Sequence, residues 1–355
     1  MKIVADENLA FTDYFFSSFG EIQHRAGRLL TAEDVHDAQA LIVRSVTKVN
    51  AELIQDSQLQ FVGSATIGTD HLDTVALDRQ NIIWRNAPGC NAQAVAEYVI
   101  TALYQLDNTV LDQGKSFSLG IVGLGNVGRR LASMAQQMGW TVMGYDPFVQ
   151  LDGIQNVSFE QLIQHSHAIS IHVPLTTSGA YPTQHLFNHD VFAHMPPDSI
   201  LINSARGSVV EEAALIADLK RTQRKVVLDV FEHEPEISEE LLDLVTLVTP
   251  HIAGYSLEGK ARGTQMVYEA FCKVFGFEAT KRFETQLPQG DAYFTENTLT
   301  EALKAHLHQI YDIQRDDQNL RACLKAGRVD QQAFDRLRKE YPLRREWAAH
   351  GGPVA

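Results

Sequence analysis

The sequence predicts an α/β protein made of two parallel-sheet domains, one inserted in the other, with a small α+β module appended. Three observations predict it. Short apolar runs alternate with amphipathic stretches along most of the chain, as strands and covering helices do in a parallel sheet. The stretch 118–146, SLGIVGLGNVGRRLASMAQQMGWTVMGYD, reads as strand, glycine turn, helix and strand. After Phe283 the alternation stops, and a break at Pro288 and Gly290 leads into helical patterns near 299–313 and 331–340.

The elements follow in order. Apolar runs at 3–5, 40–43, 61–64 and 82–84 predict the strands of a first domain over 1–91. A helix to about Leu106, with Val95, Val99, Ala102 and Leu103 on one face, crosses into a second domain over 92–256. That domain carries strands near 119–122, 141–145, 168–173, 200–203, 226–230 and 245–249. A helix over 257–275 crosses back, so 257–283 completes the first domain and 284–355 forms the appended module. A chain of 355 residues is long enough for two cores and an appendage.

The net charge of −14 argues against nucleic acid or an anionic membrane as partner and gives weight to any arginine near a site. The three cysteines, Cys90, Cys272 and Cys323, have neither disulfide-framework nor metal-ligand spacing, which fits a reducing cytoplasm; no metal is expected. MKIVADEN lacks the apolar stretch of a signal peptide, and no segment reaches the roughly 18 apolar residues of a membrane span.

The chemistry begins at the glycine turn. Gly123 allows the tight turn, Gly125 lets a pyrophosphate approach the backbone, and Gly128 lets helix and strand pack closely. Asn126 and Val127 lie between them at the helix start, whose amides attract an anion. Asp146 ends the next strand, where a carboxylate binds ribose hydroxyls and repels a 2′-phosphate, so NAD is favoured over NADP.

Other strands of this domain also end in polar residues, and ligands bind beyond the carboxyl ends of such strands. Arg206 follows the strand ending at Asn203, where it can grip a carboxylate with two parallel hydrogen bonds; Ser208 with Glu211 reads as the capping box of the next helix. Glu234 and His251 each follow a strand and can form a dyad in which the carboxylate fixes the tautomer of the imidazole. Asp70, His71 and Asp73 suggest helix capping rather than a metal site, and Cys90 a small residue in a tight turn. His165, His167 and His172 have no consistent ligand spacing and receive no role.

GLGNVG, Asp146, NSARG, DVFEHEP and TPHIAG together resemble the D-isomer-specific 2-hydroxyacid dehydrogenase superfamily over about 1–275. IVRSVTKV, GSATIGTDHLD, NAPGCNAQAVAEYV and FDRLRKEYPLRREW further resemble its erythronate-4-phosphate dehydrogenase family. The resemblance implies a Rossmann-type NAD domain inserted in a flavodoxin-like α/β substrate domain, with a C-terminal module that forms a homodimer. It implies NAD-dependent oxidation of 4-phospho-D-erythronate at C2, a step of pyridoxal phosphate biosynthesis. Arg206, Glu234 and His251 become catalytic, with His251 the proton donor and acceptor. Asp146, Val173, Asp229 and Gly254 fall at the NAD site, and Ser45, Thr66 and Tyr255 at the substrate. Arg44, beside Ser45, is added as a candidate for the phosphate of this small anionic substrate. Another D-2-hydroxy acid, such as 3-phosphoglycerate, is the alternative substrate, and a non-catalytic NAD sensor the alternative of another class.

Overall fold

The computed structural model describes residues 1–353 and divides the chain into two compact units. The first holds residues 1–91 and 256–289, the second 92–255 and everything from Gly290 onward.

In the first unit, strands β1 (Lys2–Asp6), β2 (Glu21–Arg25), β3 (Ala40–Val43), β4 (Phe61–Ser64) and β5 (Ile83–Arg85) form an all-parallel sheet in the order β2-β1-β3-β4-β5. This is the flavodoxin-like order. β3 and β4 are buried throughout because both faces of the sheet are covered, which is why they read as unbroken apolar runs. Alternate residues feed two cores. Val4, Leu41 and Val62 pack on one side, while Ile3, Ile42 and Phe61 meet Val267, Tyr268 and Phe271 of the returning helix Leu257–Phe275 on the other. Gly63 permits that helix to approach, since a Cβ there would fall 2.2 Å from Val267 Cγ1. Phe283 joins the same core, so this unit continues to Gln289.

The second unit carries β6 (Ser118–Val122), β7 (Thr141–Tyr145), β8 (Gln155–Asn156), β9 (Ala168–Ile171), β10 (Ile200–Asn203), β11 (Val226–Leu228) and β12 (Leu247–Val248). Their order is β12-β11-β10-β9-β6-β7-β8, and every pair is parallel. The order reverses between β6 and β9, the switch point at which a doubly wound sheet opens a crevice for a dinucleotide.

The segment from Gly290 contributes helices Leu299–Ile310, Ile313–Arg321 and Gln331–Lys339 and an antiparallel hairpin of β13 (Leu324–Lys325) with β14 (Arg328–Val329). It groups with the second unit. The reason is shared core. Leu303, Leu307, Ile310 and Trp347 pack in one apolar cluster with Val95, Val99 and Leu103 of helix Ala92–Leu106, and Leu320, Val329 and Phe334 join the cluster of Leu241 and Val248. Burying a side chain as large as Trp347 contributes on the order of 2–3 kcal/mol, which a detached module would lose.

Candidate active site

The glycine turn is built as its spacing predicts. Gly123 has φ 96°, a conformation costly to any residue with a Cβ, and its amide donates to Tyr145 O at 2.8 Å. A Cβ on Gly128 would lie 2.0 Å from Gly123 O, whereas one on Gly125 would meet nothing within 4 Å. Gly128 is thus demanded by helix packing, and Gly125 leaves open space where a phosphate can reach the backbone. The helix Asn126–Gln137 begins at Gly125 with no side-chain cap, so the amides near Asn126 and Val127 suit an anion.

At the end of β7, Asp146 turns back to this turn. Its Oδ2 accepts from Leu124 N at 2.9 Å and its Oδ1 from Phe148 N at 2.9 Å and Val149 N at 3.2 Å. Val173, just past β9, borders the same turn, since its Cγ1 would be 2.9 Å from a Cβ on Gly123. Glycine turn, Asp146 and Val173 therefore meet at the switch point. An open glycine, a helix start and a carboxylate beside them fit the pyrophosphate and ribose of NAD.

Across the sheet, Asp229 follows β11 and is almost fully buried. Its oxygens accept from Thr249 Oγ1 at 2.6 Å, Ile252 N at 2.7 Å and Ala253 N at 2.9 Å. Burial pushes its carboxyl up to about 6 against the pull of His251 and these donors. Tyr98 donates to Thr249 Oγ1 at 2.8 Å and completes a buried chain of donors leading to the carboxylate. Asp229 thus shapes the loop that carries His251, Gly254 and Tyr255.

Glu234 and His251 are in contact. His251 Nδ1 lies 3.0 Å from Glu234 Oε2, and Glu234 Oε1 accepts from Phe231 N at 2.9 Å. Burial works to raise the Glu234 carboxyl, but His251, the Phe231 amide and Arg338 together hold it below the usual range. With Nδ1–H donating to the carboxylate, Nε2 remains as the basic nitrogen. His251 adopts φ 59°, a left-handed conformation that costs a residue with a side chain on the order of 1 kcal/mol. Its amide donates to Thr249 O at 3.0 Å, and Asp229 holds the next two amides, so the surrounding bonds enforce that backbone.

Arg206 lies just beyond β10, where Asn203 builds the turn by donating to Arg206 O at 2.9 Å and accepting from Ala205 N at 3.1 Å. The Ser208–Glu211 capping box does not form. Gly207–Val209 is a 3-10 turn, helix Glu212–Thr222 starts later, and its first amide donates to Glu232 Oε2 at 2.8 Å. Glu232 also holds His185 Nε2 at 2.5 Å, so a residue brought in from the next strand end replaces the local cap. A Cβ on Gly207 would lie 1.9 Å from Phe231 O, which sets the backbone after Arg206 against the segment leading to Glu234.

In the first unit, Arg44 and Ser45 follow β3, and Thr66 follows the adjacent β4. Arg44 Nε donates to the fully buried Asp6 at 3.0 Å, and Thr66 Oγ1 lies 2.8 Å from Ser64 Oγ, which contacts His71 Nε2 at 2.9 Å. Asp73 caps helix Thr74–Arg79 through Ala76 N at 2.9 Å, and Cys90 is a buried turn residue whose carbonyl accepts from Arg262. His172 contacts Ser170 Oγ at 2.8 Å, and desolvation pushes it down to about 3. Among the described residues no group of three His, Cys, Asp or Glu is placed to hold a metal, and no helix is long and apolar enough to cross a membrane.

Thr249, Tyr98 and Arg344 lay outside the sequence reading. Arg344, buried in the C-terminal segment, donates to Ile252 O at 3.0 Å, Tyr255 O at 3.3 Å and Ala253 O, and its guanidinium lies 4.5 Å over the Tyr311 ring. The loop is therefore held by Asp229 through its amides and by Arg344 through its carbonyls. The repeated arginines of FDRLRKEYPLRREW were the available signal, but nothing local distinguishes the buried one from a solvated one.

The NAD-binding domain model of the D-isomer-specific 2-hydroxyacid dehydrogenases matches residues 91–253, and a model described as a domain of unknown function (DUF3410) matches 288–350. The NAD-dependent formate dehydrogenase of Staphylococcus aureus, solved in complex with NAD, superposes with a TM-score of 0.62 at 25% identity, covering 78% of this chain and 96% of its own. Erythronate-4-phosphate dehydrogenase of Psychrobacter cryohalolentis is 42% identical over 98% of this chain and 97% of its own. That of Acinetobacter baylyi is 73% identical over the whole of both. Identity of this extent shows that the chain belongs to the erythronate-4-phosphate dehydrogenase family, within the D-isomer-specific 2-hydroxyacid dehydrogenases.

Proposed function

We propose that this chain oxidises 4-phospho-D-erythronate at C2 to (R)-3-hydroxy-2-oxo-4-phosphooxybutanoate with NAD, a step toward pyridoxal phosphate. The observation that carries the reading is the 3.0 Å bond between His251 Nδ1 and Glu234, which leaves Nε2 to take the C2 hydroxyl proton. Glu234 stabilises the imidazolium that results. Arg206 grips the C1 carboxylate and orients C2, positioning that supplies several kcal/mol of the barrier reduction. NAD, when bound, supplies the hydride acceptor. Gly123, Gly125, Asn126, Val127 and Gly128 cradle its pyrophosphate, Asp146 takes the ribose hydroxyls, and Val173, Asp229 and Gly254 shape the remainder of its site. Ser45, Thr66 and Tyr255 contact the substrate, and Arg44 meets the phosphate.

In this reading residues 1–91 with the returning segment to about 283 form the substrate domain, and 92–256 the NAD domain. The C-terminal module serves as the contact of a homodimer in the cytoplasm; the mass of the purified protein in solution, by light scattering, tests the dimer.

NADH formation from NAD⁺ and 4-phospho-D-erythronate, in parallel with D-3-phosphoglycerate and with a 2-oxo acid added if the signal stalls after one turnover, tests the activity. Strong preference for the erythronate ester supports the reading. Preference for phosphoglycerate replaces the substrate, and silence with both favours the sensor.

A further inference from the structure

The C-terminal segment brings a cation to the loop that carries His251. Helix Gln331–Lys339 is anchored by the buried Phe334 and capped by Asp330, which accepts from Ala333 N at 2.8 Å. Its last turn carries Arg336, Arg338 and Lys339. Cations there suit the helix dipole, and Arg336 and Lys339 are exposed as that role requires. Arg338 is turned inward. Its guanidinium lies 5.8 Å from the centroid of the Phe334 ring one turn earlier, and Nη2 lies 3.5 Å from the Tyr255 hydroxyl.

This cation is underused by the protein. Its Nε is buried with no hydrogen-bond partner, and the Tyr255 contact is long for a charged donor. Burial opposes its charge, but Tyr255, Glu234 and Asp229 outweigh burial and favour the charged guanidinium. Glu234 has its own partners in His251 and the Phe231 amide. What the surroundings need is compensation for a second anion. A doubly charged phosphate brought to a chain of net charge −14, beside Glu234 and Asp229, is repelled unless a fixed cation receives it. A planar guanidinium with unused donors is the group that phosphate oxygens match.

Its place in the chain says what it discriminates. The 2-hydroxyacid dehydrogenase model ends at residue 253, and Arg338 lies in the separately matched 288–350. We propose that Arg338, held against Tyr255, receives the substrate's phosphate, so that the C-terminal segment supplies the phosphate specificity of this chain. The proposal rests on the reading of Tyr255 as a substrate residue.

The test is R338Q beside R338K and the wild type. For 4-phospho-D-erythronate, R338Q is expected to raise KM on the order of 100-fold while kcat stays within about threefold, and R338K to recover much of the loss. Calorimetric titration of each whole protein with inorganic phosphate needs no turnover; R338Q should bind it far more weakly than the wild type, with R338K between. A fall in kcat at constant KM would assign Arg338 to the dyad and overturn the proposal, as would equal phosphate binding by wild type and R338Q. If the wild type fails to oxidise the ester, the proposed activity fails, while the titration still decides the role of Arg338.

Discussion

Glu234 Oε2 and His251 Nδ1 are joined at 3.0 Å, a bond that on the proposed mechanism leaves Nε2 for chemistry. In Glu234→Gln the ring can still be oriented, but the negative charge that stabilises the imidazolium is gone. We expect kcat to fall about 100-fold or more with KM changed little, measured as NADH formation. A kcat within a few fold of wild type would remove Glu234 from the dyad.

The half-buried Glu234 and the buried Asp229 respond to pH with opposite signs. Glu234, held low, adds stability that is present above the ordinary carboxylate range and lost as pH falls through its depressed value. Asp229, raised to about 6, favours the protonated form in the fold, so its contribution is present below the unfolded value of about 3.9 and declines as pH rises through 6. Asp229→Asn does not titrate. The melting-temperature advantage of wild type over this variant should therefore narrow between about pH 4 and pH 7, and widening would contradict the assignment.

Two neighbouring glycines should fail in different ways. Gly128→Ala drives a Cβ to 2.0 Å from Gly123 O and should lower the melting temperature markedly, by overpacking worth about 1–3 kcal/mol. Gly125→Ala meets open space, so the protein should melt as wild type does yet bind NADH on the order of tenfold more weakly, read by titration of NADH fluorescence. Normal NADH binding by Gly125→Ala would remove the pyrophosphate from that position.

On the proposed reading Arg44 has a second role beside its own ion pair. It pairs with Asp6, which is fully buried, so Arg44→Ala strands a charge and should cost about 3–5 kcal/mol in denaturant unfolding. The same variant should raise KM strongly for the phosphorylated substrate. An unchanged KM would leave Arg44 with Asp6 alone.

Arg344→Met removes the donors to Ile252 O, Ala253 O and Tyr255 O while keeping apolar bulk over Tyr311. Ile252 O keeps the Tyr255 amide as a donor, but Ala253 O loses a buried charged donor at a cost of about 1–3 kcal/mol, and a loosened loop misplaces His251. Both melting temperature and kcat should drop; a fall in melting temperature with kcat intact would confine Arg344 to stability.

Much of this was written in local sequence. β3, β4, β7 and β10 are buried or nearly so and read as apolar runs, and Glu234 and His251 could be paired because each follows a strand. β2, with the polar sequence EIQHR, and β8, with QN, are edge strands whose partners lie on one side, so periodicity gave no sign of them. The expected helix over 299–313 breaks because Asp312 accepts from Arg315 N and starts a new helix. Glu232 displaced the Ser208–Glu211 cap, and Arg344 reached carbonyls some ninety residues away; both are tertiary choices that local pattern does not encode.

The order in which the chain is made gives the shared core a further meaning. Glu97, buried in helix Ala92–Leu106, accepts from Trp347 N at 3.0 Å, and Arg344 grips the loop beyond His251, so both donors are made well after the groups they hold. A nascent chain that has already emerged through Gln289 holds every residue of its first unit, while the cofactor-side core still lacks its closing pieces. A chain stopped before Arg344 leaves Glu97 without the Trp347 amide and the His251 loop without the Arg344 donors.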